Sequence, residues 1–319
     1  MVIRIPNWLG DALMATPVYH NLCQHEKIYL LGPQSIVDLF KFFPNTEVLY
    51  YEKGNFKKNL NLLKPFNHQT GLLLTNSFSS AWLFFRAGLK ERWGYAKDLR
   101  SFLLTKAVKP PKLTLHQRDY YLYLLEALKL PCNHRDLSLP LGKEAITKAK
   151  NFLKGLEEKP FIILAPGAAY GPAKMWPKEY YQKLAKNLVK KGWTVVVAGG
   201  EKEKNVGDFI QTEVKEVYNL CGKTDLITVA GMFALAEAIV SNDSGLMHLA
   251  ATLKKPQVAL FGSTDPEKTG PLNPKAIVLQ HKMPCNPCFK RTCPYGHYKC
   301  LSSISVEEVI DALERLIKR

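Results

Sequence analysis

The chain has 319 residues, 46% of them hydrophobic, and a formal net charge of +16. That length fits about two domains, and the apolar content is enough for real cores. No apolar run reaches the roughly 18–20 residues that a spanning helix needs, and Met1–Pro6 lacks the basic start and long apolar core of a secretory signal.

A cytoplasmic, non-spanning protein is therefore expected. The charge is uneven: residues 1–155 hold 22 Lys and Arg against 11 Asp and Glu, and residues 156–319 hold 22 against 17. A first half at +11 points to nucleic acid, anionic lipid or a phosphorylated glycan, or else to a generally lysine-rich proteome. No zinc-finger spacing with paired histidines and no aromatic ribonucleoprotein signature occurs, so a nucleic-acid partner is not expected.

The chain opens with a strand over Val2–Ile5, a turn Pro6–Asp11 and a helical pattern from Ala12 to Cys23. Apolar strands recur at Ile28–Leu31, Val48–Tyr51 and Gly71–Thr75, with helical stretches Ser35–Phe42 and Ser79–Ala87 between them. Helical periodicity runs from about Arg118 to Lys129, and a Lys- and Glu-rich stretch near 141–160, with Gly155 and Pro160, reads as the domain boundary. A second unit begins with the strand Phe161–Ala165 and the turn Pro166-Gly167. A helix follows Trp176-Pro177, with Pro177 suited to its first turn. Strands follow at Trp193–Ala198, which runs into Gly199-Gly200, at Glu237–Ser241 and at Gln257–Phe261. Strands alternating with helices imply mostly parallel sheets. The expected fold is α/β, two Rossmann-like domains facing a cleft, residues 1–155 and 156–319. Ligands of open α/β sheets sit beyond the carboxyl ends of strands. Asn7–Asp11, Pro166–Trp176, Gly199–Glu201, Asp243–Gly245 and Phe261–Asp265 all fall in such positions.

The most informative stretch is Val240–Ala251, where a strand feeds a helix through Asn242-Asp243-Ser244-Gly245. A helix start presents unpaired N–H groups and partial positive charge, a seat for phosphate. Gly245 lets the backbone come close, and Ser244 can cap or donate. Asp243 repels phosphate, so it suits hydroxyl groups attached to that phosphate. A phosphate beside a polyol suggests a nucleotide-sugar; a capped helix without ligand is the plain alternative. Asp11, after Gly10, is either a general base or an ordinary acid complementing a helix start. Lys174, in Gly171-Pro172-Ala173-Lys174-Met175-Trp176-Pro177, suits a diphosphate or is one more solvated lysine. His248 either faces the phosphates or packs. Glu201 either grips ribose hydroxyls at a strand end or is solvated in the charged run that ends at Lys204.

No Gly-x-Gly-x-x-Gly follows the first strand and no Gly-Lys-Ser/Thr loop occurs, which argues against a dehydrogenase and a nucleoside triphosphatase. No His-Glu-x-x-His motif appears. Cys23, Cys132 and Cys221 are scattered and read as buried thiols. Cys285, Cys288, Cys293 and Cys300 cluster with spacings that match no standard zinc ribbon. They fit a structural zinc or iron–sulfur site, two disulfides, or free thiols.

Taken together, these motifs resemble the lipopolysaccharide heptosyltransferases, glycosyltransferase family 9. The resemblance is carried by Asn7-Trp8-Leu9-Gly10-Asp11 with Met14, by Pro166-Gly167-Ala168 with Gly171–Pro177, and most strongly by Asn242-Asp243-Ser244-Gly245-Leu246-Met247-His248. Asn76–Ala81 with Gly94-Tyr95 looks like the heptosyltransferase II branch. The resemblance covers nearly the whole chain and implies a GT-B fold and a C-terminal helix that often crosses back. It also implies inverting transfer of L-glycero-D-manno-heptose from ADP-heptose to the lipopolysaccharide inner core. No cofactor is required for that transfer. The implied partners are ADP-heptose, the inner-core acceptor and the inner face of the inner membrane as a peripheral contact. Asp11 matches the family's proposed base. Lys174 and Ser244–Leu246 match its diphosphate contacts, and Asp243 a donor-sugar contact. Glu201 and Thr224 match adenosine-side positions only loosely. The cysteine-rich segment is absent from some members, so no role carries over to it. The basic residues Lys53, Lys57, Lys58, Arg92, Lys97 and Arg100 are candidate acceptor contacts.

Overall fold

The computed structural model describes residues 1–156, 159–212 and 214–317. The chain divides into two compact units, Met1–Pro140 and Leu141–Arg319. The first holds a six-stranded sheet of β1 (Val2–Arg4), β2 (Ile28–Gly32), β3 (Thr46–Tyr50), β4 (Thr70–Leu73), β5 (Glu91–Tyr95) and β6 (Lys106–Val108), in the order β3-β2-β1-β4-β5-β6. The second holds β7 (Phe161–Ala165), β8 (Thr194–Val197), β9 (Val217–Asn219), β10 (Ala238–Asn242), β11 (Gln257–Leu260) and β12 (Ala276–Leu279), in the order β12-β11-β10-β7-β8-β9. Every pairing in both sheets is parallel. Each order is that of the doubly wound dinucleotide-binding fold, so the two Rossmann-like domains expected from the sequence are present. The central strands are wholly buried, as a sheet covered by helices on both faces requires. Among the described residues no helix is long and apolar enough to cross a membrane.

In each unit the strand order reverses at one place, between β1 and β4 and between β7 and β10. The loops leaving those four strands carry Asn7–Asp11, Asn76–Ser80, Pro166–Trp176 and Asp243–Gly245. Register puts the loops of each pair side by side, because Arg4 aligns with Leu73 and Ser241 with Ala165.

Three expectations change. The helical pattern from Ala12 to Cys23 is two helices, Leu9–Met14 and Thr16–Cys23, separated at Ala15 with Pro17 in the first turn of the second. The first starts early enough to place Asp11 in its opening turn. Pro177 is the N-cap of Lys178–Lys190 rather than a first-turn residue. The domain boundary falls at 140/141, not 155/156. The helix Lys143–Phe152 lies in the second unit because it packs on Leu226–Leu235. Gly231 makes that approach possible: a Cβ there would collide with the Ala145 carbonyl and come within 2.9 Å of Ala149 Cβ. Moving the boundary also removes the charge asymmetry. Residues 1–140 hold 18 Lys and Arg against 10 Asp and Glu, and residues 141–319 hold 26 against 18, so each unit carries +8.

Candidate active site

In the second unit the site is organised by Asn242, the buried last residue of β10. Its Nδ2 donates to the Pro166 carbonyl at 2.6 Å, and its Oδ1 accepts from the Trp176 backbone N–H at 3.1 Å and the Tyr181 hydroxyl at 3.0 Å. One amide thus ties both ends of the Pro166–Trp176 loop to the strand that leads into Asp243. A buried amide with these bonds is costly to replace, since each unmatched group would keep its full desolvation penalty.

That clamp sets Lys174 beside Asp243. Lys174 Nζ lies 2.5 Å from Asp243 Oδ2, with side-chain exposures of 12% and 3%. The Thr264 hydroxyl donates to the same carboxylate oxygen at 2.6 Å. Lys174 Nζ also stands 4.8 Å from the centre of the Tyr170 ring. Ser244 is the N-cap of the helix Gly245–Thr252 but makes no side-chain cap bond, and its occluded Oγ has no hydrogen-bond partner. The helix start therefore offers backbone N–H groups and a hydroxyl next to an ammonium group, which can hold a diphosphate without a metal. His248, one turn on, is 3% exposed and buried within the same helix. Leu246 lies in the first turn, half-buried.

Glu201 and Thr224 follow β8 and β9, neighbouring strands, at their carboxyl ends. The two loops are joined by the Gly222 N–H donating to the Gly199 carbonyl at 3.0 Å. The Glu201 carboxylate fills the space where a Cβ on Gly222 would sit, and Gly222 has φ +73°. Glu201 is well exposed and Thr224 half-buried. Both residues stand on the same sheet edge as Asp243, two and three strands away.

In the first unit Asp11 is held by the turn that precedes it. Arg4, buried at the end of β1, donates to the Ile5 carbonyl and to Asn7 Oδ1, both at 2.5 Å, and its guanidinium lies 4.1 Å from the centre of the Tyr51 ring. Burial pulls Arg4 down to about 10. Burial, and then the Asp11 carboxylate, holds the Tyr121 hydroxyl well above its ordinary range. For Tyr19, burial raises it and Asp11 adds to that against the pull of Arg4. Asp11 is thus a half-buried carboxylate beside two protonated phenols. The adjacent β4 loop is braced by Arg100, whose Nη1 donates to the Thr75 carbonyl at 2.6 Å and whose Nε donates to the Tyr95 carbonyl at 3.0 Å. Asn76 Nδ2 donates to the Tyr120 hydroxyl at 3.1 Å.

This geometry narrows the basic acceptor candidates. Arg100 is fully buried, Arg92 donates to the Leu89 and Leu103 carbonyls, and Lys58 pairs with Glu52 at 2.6 Å. Only Lys53, Lys57 and Lys97 of the six are exposed without such a bond.

The cysteine segment has a place that sequence reasoning missed. Cys285, Cys288, Cys293 and Cys300 line one small cavity with Ala173, Ser263 and Asn286. Burial, and then the three neighbouring thiols, raises Cys300. All seven cysteines are free thiols, so the disulfide alternative is not realised. Among the described residues no group of three or more His, Cys, Asp or Glu side chains is arranged to hold a metal ion, so the zinc or iron–sulfur expectation at Cys285, Cys288, Cys293 and Cys300 is not supported. What the segment does is brace the Lys174 loop. The Arg291 carbonyl accepts from the Ala173 N–H at 3.0 Å, and the Tyr170 hydroxyl donates to the Phe289 carbonyl at 2.7 Å. Gly171, at φ +149°, is the point of closest approach, where a Cβ would lie 2.6 Å from the Arg291 carbonyl oxygen. Gly171 was the available signal, since only glycine fits that conformation with a backbone so near.

Comparison with known proteins places this geometry among relatives. Residues 61–299 match the family model for glycosyltransferase family 9 (heptosyltransferase). The chain is 31% identical, over 99% of its length and 98% of the relative's, to lipooligosaccharide heptosyltransferase 2 of Campylobacter jejuni. It is 30% identical to lipopolysaccharide heptosyltransferase 2 of Escherichia coli, over 98% of this chain and 97% of that one. The solved structure of E. coli ADP-heptose lps heptosyltransferase II superposes with a TM-score of 0.88 at 29% identity, covering 99% of this chain and 98% of that one. The GT-B class follows from that match.

Proposed function

The chain belongs to glycosyltransferase family 9, the heptosyltransferases, and from that premise we propose that it transfers L-glycero-D-manno-heptose from ADP-heptose to the heptose I residue of the lipopolysaccharide inner core. The observation that carries this reading is the convergence of Lys174, Asp243 and the start of the helix Gly245–Thr252 at the switch point of the second unit. A cation and helix-start N–H groups suit a diphosphate, and a buried carboxylate beside them suits the sugar hydroxyls. The two full-length relatives named above are both heptosyltransferase 2, which supports the acceptor assignment, although a heptosyltransferase 1 and a heptosyltransferase 3 also match.

In the proposed reaction the acceptor hydroxyl attacks the anomeric carbon from the face opposite ADP. The bond to the ADP oxygen breaks, and configuration inverts. Lys174 and the helix-start N–H groups stabilise the negative charge that develops on departing ADP. Asp11 takes the proton of the acceptor hydroxyl. Glu201 and Thr224 serve the adenosine side, and Ser244, Gly245 and Leu246 line the diphosphate side, with His248 buried one turn behind them. The acceptor binds the first unit, residues 1–140, and the donor the second. The reaction requires no cofactor, and the enzyme works at the inner face of the inner membrane, where its acceptor is anchored.

The test is direct. The protein is incubated with ADP-heptose and with lipopolysaccharide bearing none, one or two heptoses, and the products are read by mass spectrometry. Extension of the one-heptose acceptor alone is expected. Extension of the heptose-free or two-heptose acceptor would reassign the chain to another heptose position, and transfer from a UDP-sugar instead would reassign the donor.

A further inference from the structure

The outer face of the helix Phe78–Arg86 carries an aromatic stripe in which Phe78 and Phe85 are exposed, while Trp82 between them is half-buried against the first unit's core. Phe78, Trp82 and Phe85 fall at i, i+4 and i+7, so they share one face. Their rings run in sequence with Phe102, the centroids being 6.2 Å apart for Phe78–Phe102, 6.5 Å for Phe78–Trp82 and 5.7 Å for Trp82–Phe85. Phe102 is 76% exposed, and Leu99 beside it in sequence is 89% exposed. Leu99 has φ +55° and follows Asp98 at φ +51°. A leucine held in the left-handed region and presented to solvent is strained for no gain in packing, a pattern that marks functional positions.

The charge around this stripe is one-sided. Residues 86–112 contain eight Lys and Arg against two Asp and Glu, and with the buried Arg100 left out the excess is +5. Arg86, Lys90, Lys97, Lys106, Lys109 and Lys112 are exposed. Arg86 and Arg92 stand over the Trp82 and Phe85 rings at 5.3 and 5.4 Å. Exposed aromatic and leucine side chains rimmed by cations match an anionic lipid surface: rings and Leu99 enter the headgroup boundary while the long basic side chains stay at the phosphates. A protein partner would not call for so large an excess of one sign at the rim.

We propose that this face, built from the helix Phe78–Arg86 and the Asp98–Phe102 turn, docks the enzyme on an anionic phospholipid bilayer. The proposal rests on the reading of the acceptor as a membrane-anchored glycolipid and gives that reading a surface. Its location fits. The helix leaves β4 and the turn leaves β5, on the sheet edge where β1 delivers Asp11. Docking there presents the Asp11 edge of the first unit to headgroup level.

The test is flotation of the full chain with vesicles of phosphatidylcholine containing one-third phosphatidylglycerol, and with vesicles of phosphatidylcholine alone. Binding to the anionic vesicles, weakened by 0.5 M salt and at least about tenfold lower on the neutral ones, is expected. The variant Phe85→Ser/Leu99→Ser/Phe102→Ser changes only exposed positions. It should lower partition at least about tenfold, because three apolar side chains no longer leave water. Its melting temperature, checked alongside, should match that of the parent. Equal flotation of variant and parent would overturn the proposal, as would a parent that ignores lipid charge or salt. So would a parent dimer in sedimentation that the variant dissolves, which would make the face an interface between copies. Transfer to a delipidated, water-soluble acceptor separates the two readings. The variant should retain it. If the parent lacks it while still floating, the enzymatic reading fails and the docking surface stands.

Discussion

Replacing Lys174 by methionine tests the donor site and the fold around it together. The Lys174–Asp243 pair is almost shielded from water, and methionine keeps the stem while removing the charge. Asp243 would be left in its buried position with the Thr264 hydroxyl as its remaining side-chain donor. Breaking a fully buried pair costs about 3–5 kcal/mol, and the 12% exposure at the lysine end brings the expected loss to the bottom of that range or just below it, about 2–3 kcal/mol. For a unit the size of residues 141–319 that lowers the melting temperature by roughly 4–12 °C. Asp243→Asn should cost less, about 1–2 kcal/mol, because the amide oxygen still accepts from Thr264 and the lysine can turn to water. The double variant should recover part of the loss, with a coupling of at least about 1 kcal/mol. Binding is read by calorimetry. Lys174→Met should weaken ADP by about 10–150-fold, the equivalent of about 1.5–3 kcal/mol for a charge-assisted hydrogen bond, and leave adenosine unchanged. Asp243→Asn should bind ADP as tightly as the parent or better, since it removes a repelling charge, yet bind ADP-heptose more weakly. Additive single effects within about 0.5 kcal/mol, together with equal losses for ADP and adenosine, would refute both the pair and the diphosphate assignment.

Other expectations follow from the same geometry. Asp11→Asn should leave ADP affinity intact and lower turnover by about 10²–10⁴, measured by product formation under saturating donor, and near-parental turnover would remove Asp11 from the chemistry. Gly231→Val should destabilise the second unit by roughly 1–3 kcal/mol in urea unfolding, because the branched side chain has to enter the Ala145–Ala149 contact; an unchanged midpoint would contradict the helix packing described above. Cys293, whose thiolate is favoured by backbone N–H groups of Tyr298, Tyr295, His297 and Gly296, should be the first thiol alkylated by iodoacetamide at neutral pH. Cys221, buried and pushed up to about 12, should be the last; peptide mass spectrometry over time gives the order, and a Cys221 modified before Cys293 would sink it. The same thiol ties stability to alkaline pH. Its folded value lies above the unfolded one, so its contribution is full below about 9 and is lost as pH rises toward 12.

The parts of the site that sequence made legible are those where backbone chemistry leaves a mark. Asp243-Ser244-Gly245 announces a helix start after a buried strand, and the helix begins at Gly245. Gly171-Pro172 announces a turn, and a turn of 3-10 helix spans Pro172–Lys174. The strands that were read are the central ones, β1, β2, β4, β7, β8, β10 and β11, with β3 beside them. Their apolar runs are continuous because both faces are covered. Those missed lie toward the sheet edges. β6 is Lys-Ala-Val, β9 is Val-Tyr-Asn and β5 is Glu-Arg-Trp-Gly-Tyr, so none of these three carries enough apolar signal to separate it from a loop, while the edge strand β12, Ala-Ile-Val-Leu, is apolar and was not read. The helix Leu226–Leu235 was missed for the opposite reason: seven of its residues are buried on all sides, so no polar face gives it a period.

The displaced boundary teaches more than the missed strands. A Lys- and Glu-rich stretch reads as a linker because charge marks solvent exposure, and the exposed face of Lys143–Phe152 does carry that charge, including the Lys148 link to Glu144 and Asp225. Its other face is only Ala145 and Ala149. Alanine adds so little to an apolar periodicity that the stripe is invisible until its partner, Gly231, is known to lie across it. The consequence reaches function. With the boundary at 155/156 the first unit holds an excess of +11 and looks basic as a whole; at 140/141 it holds +8, no more than the second. Bulk charge therefore does not say which unit meets an acidic surface. Placement does. An excess of five, with the buried Arg100 left out, lies between Arg86 and Lys112, in the sequence that follows the exposed aromatic stripe of the unit's β4–β5 side. Screening limits exposed charges to about 8 Å at physiological salt, so a local cluster decides contact where a net total does not.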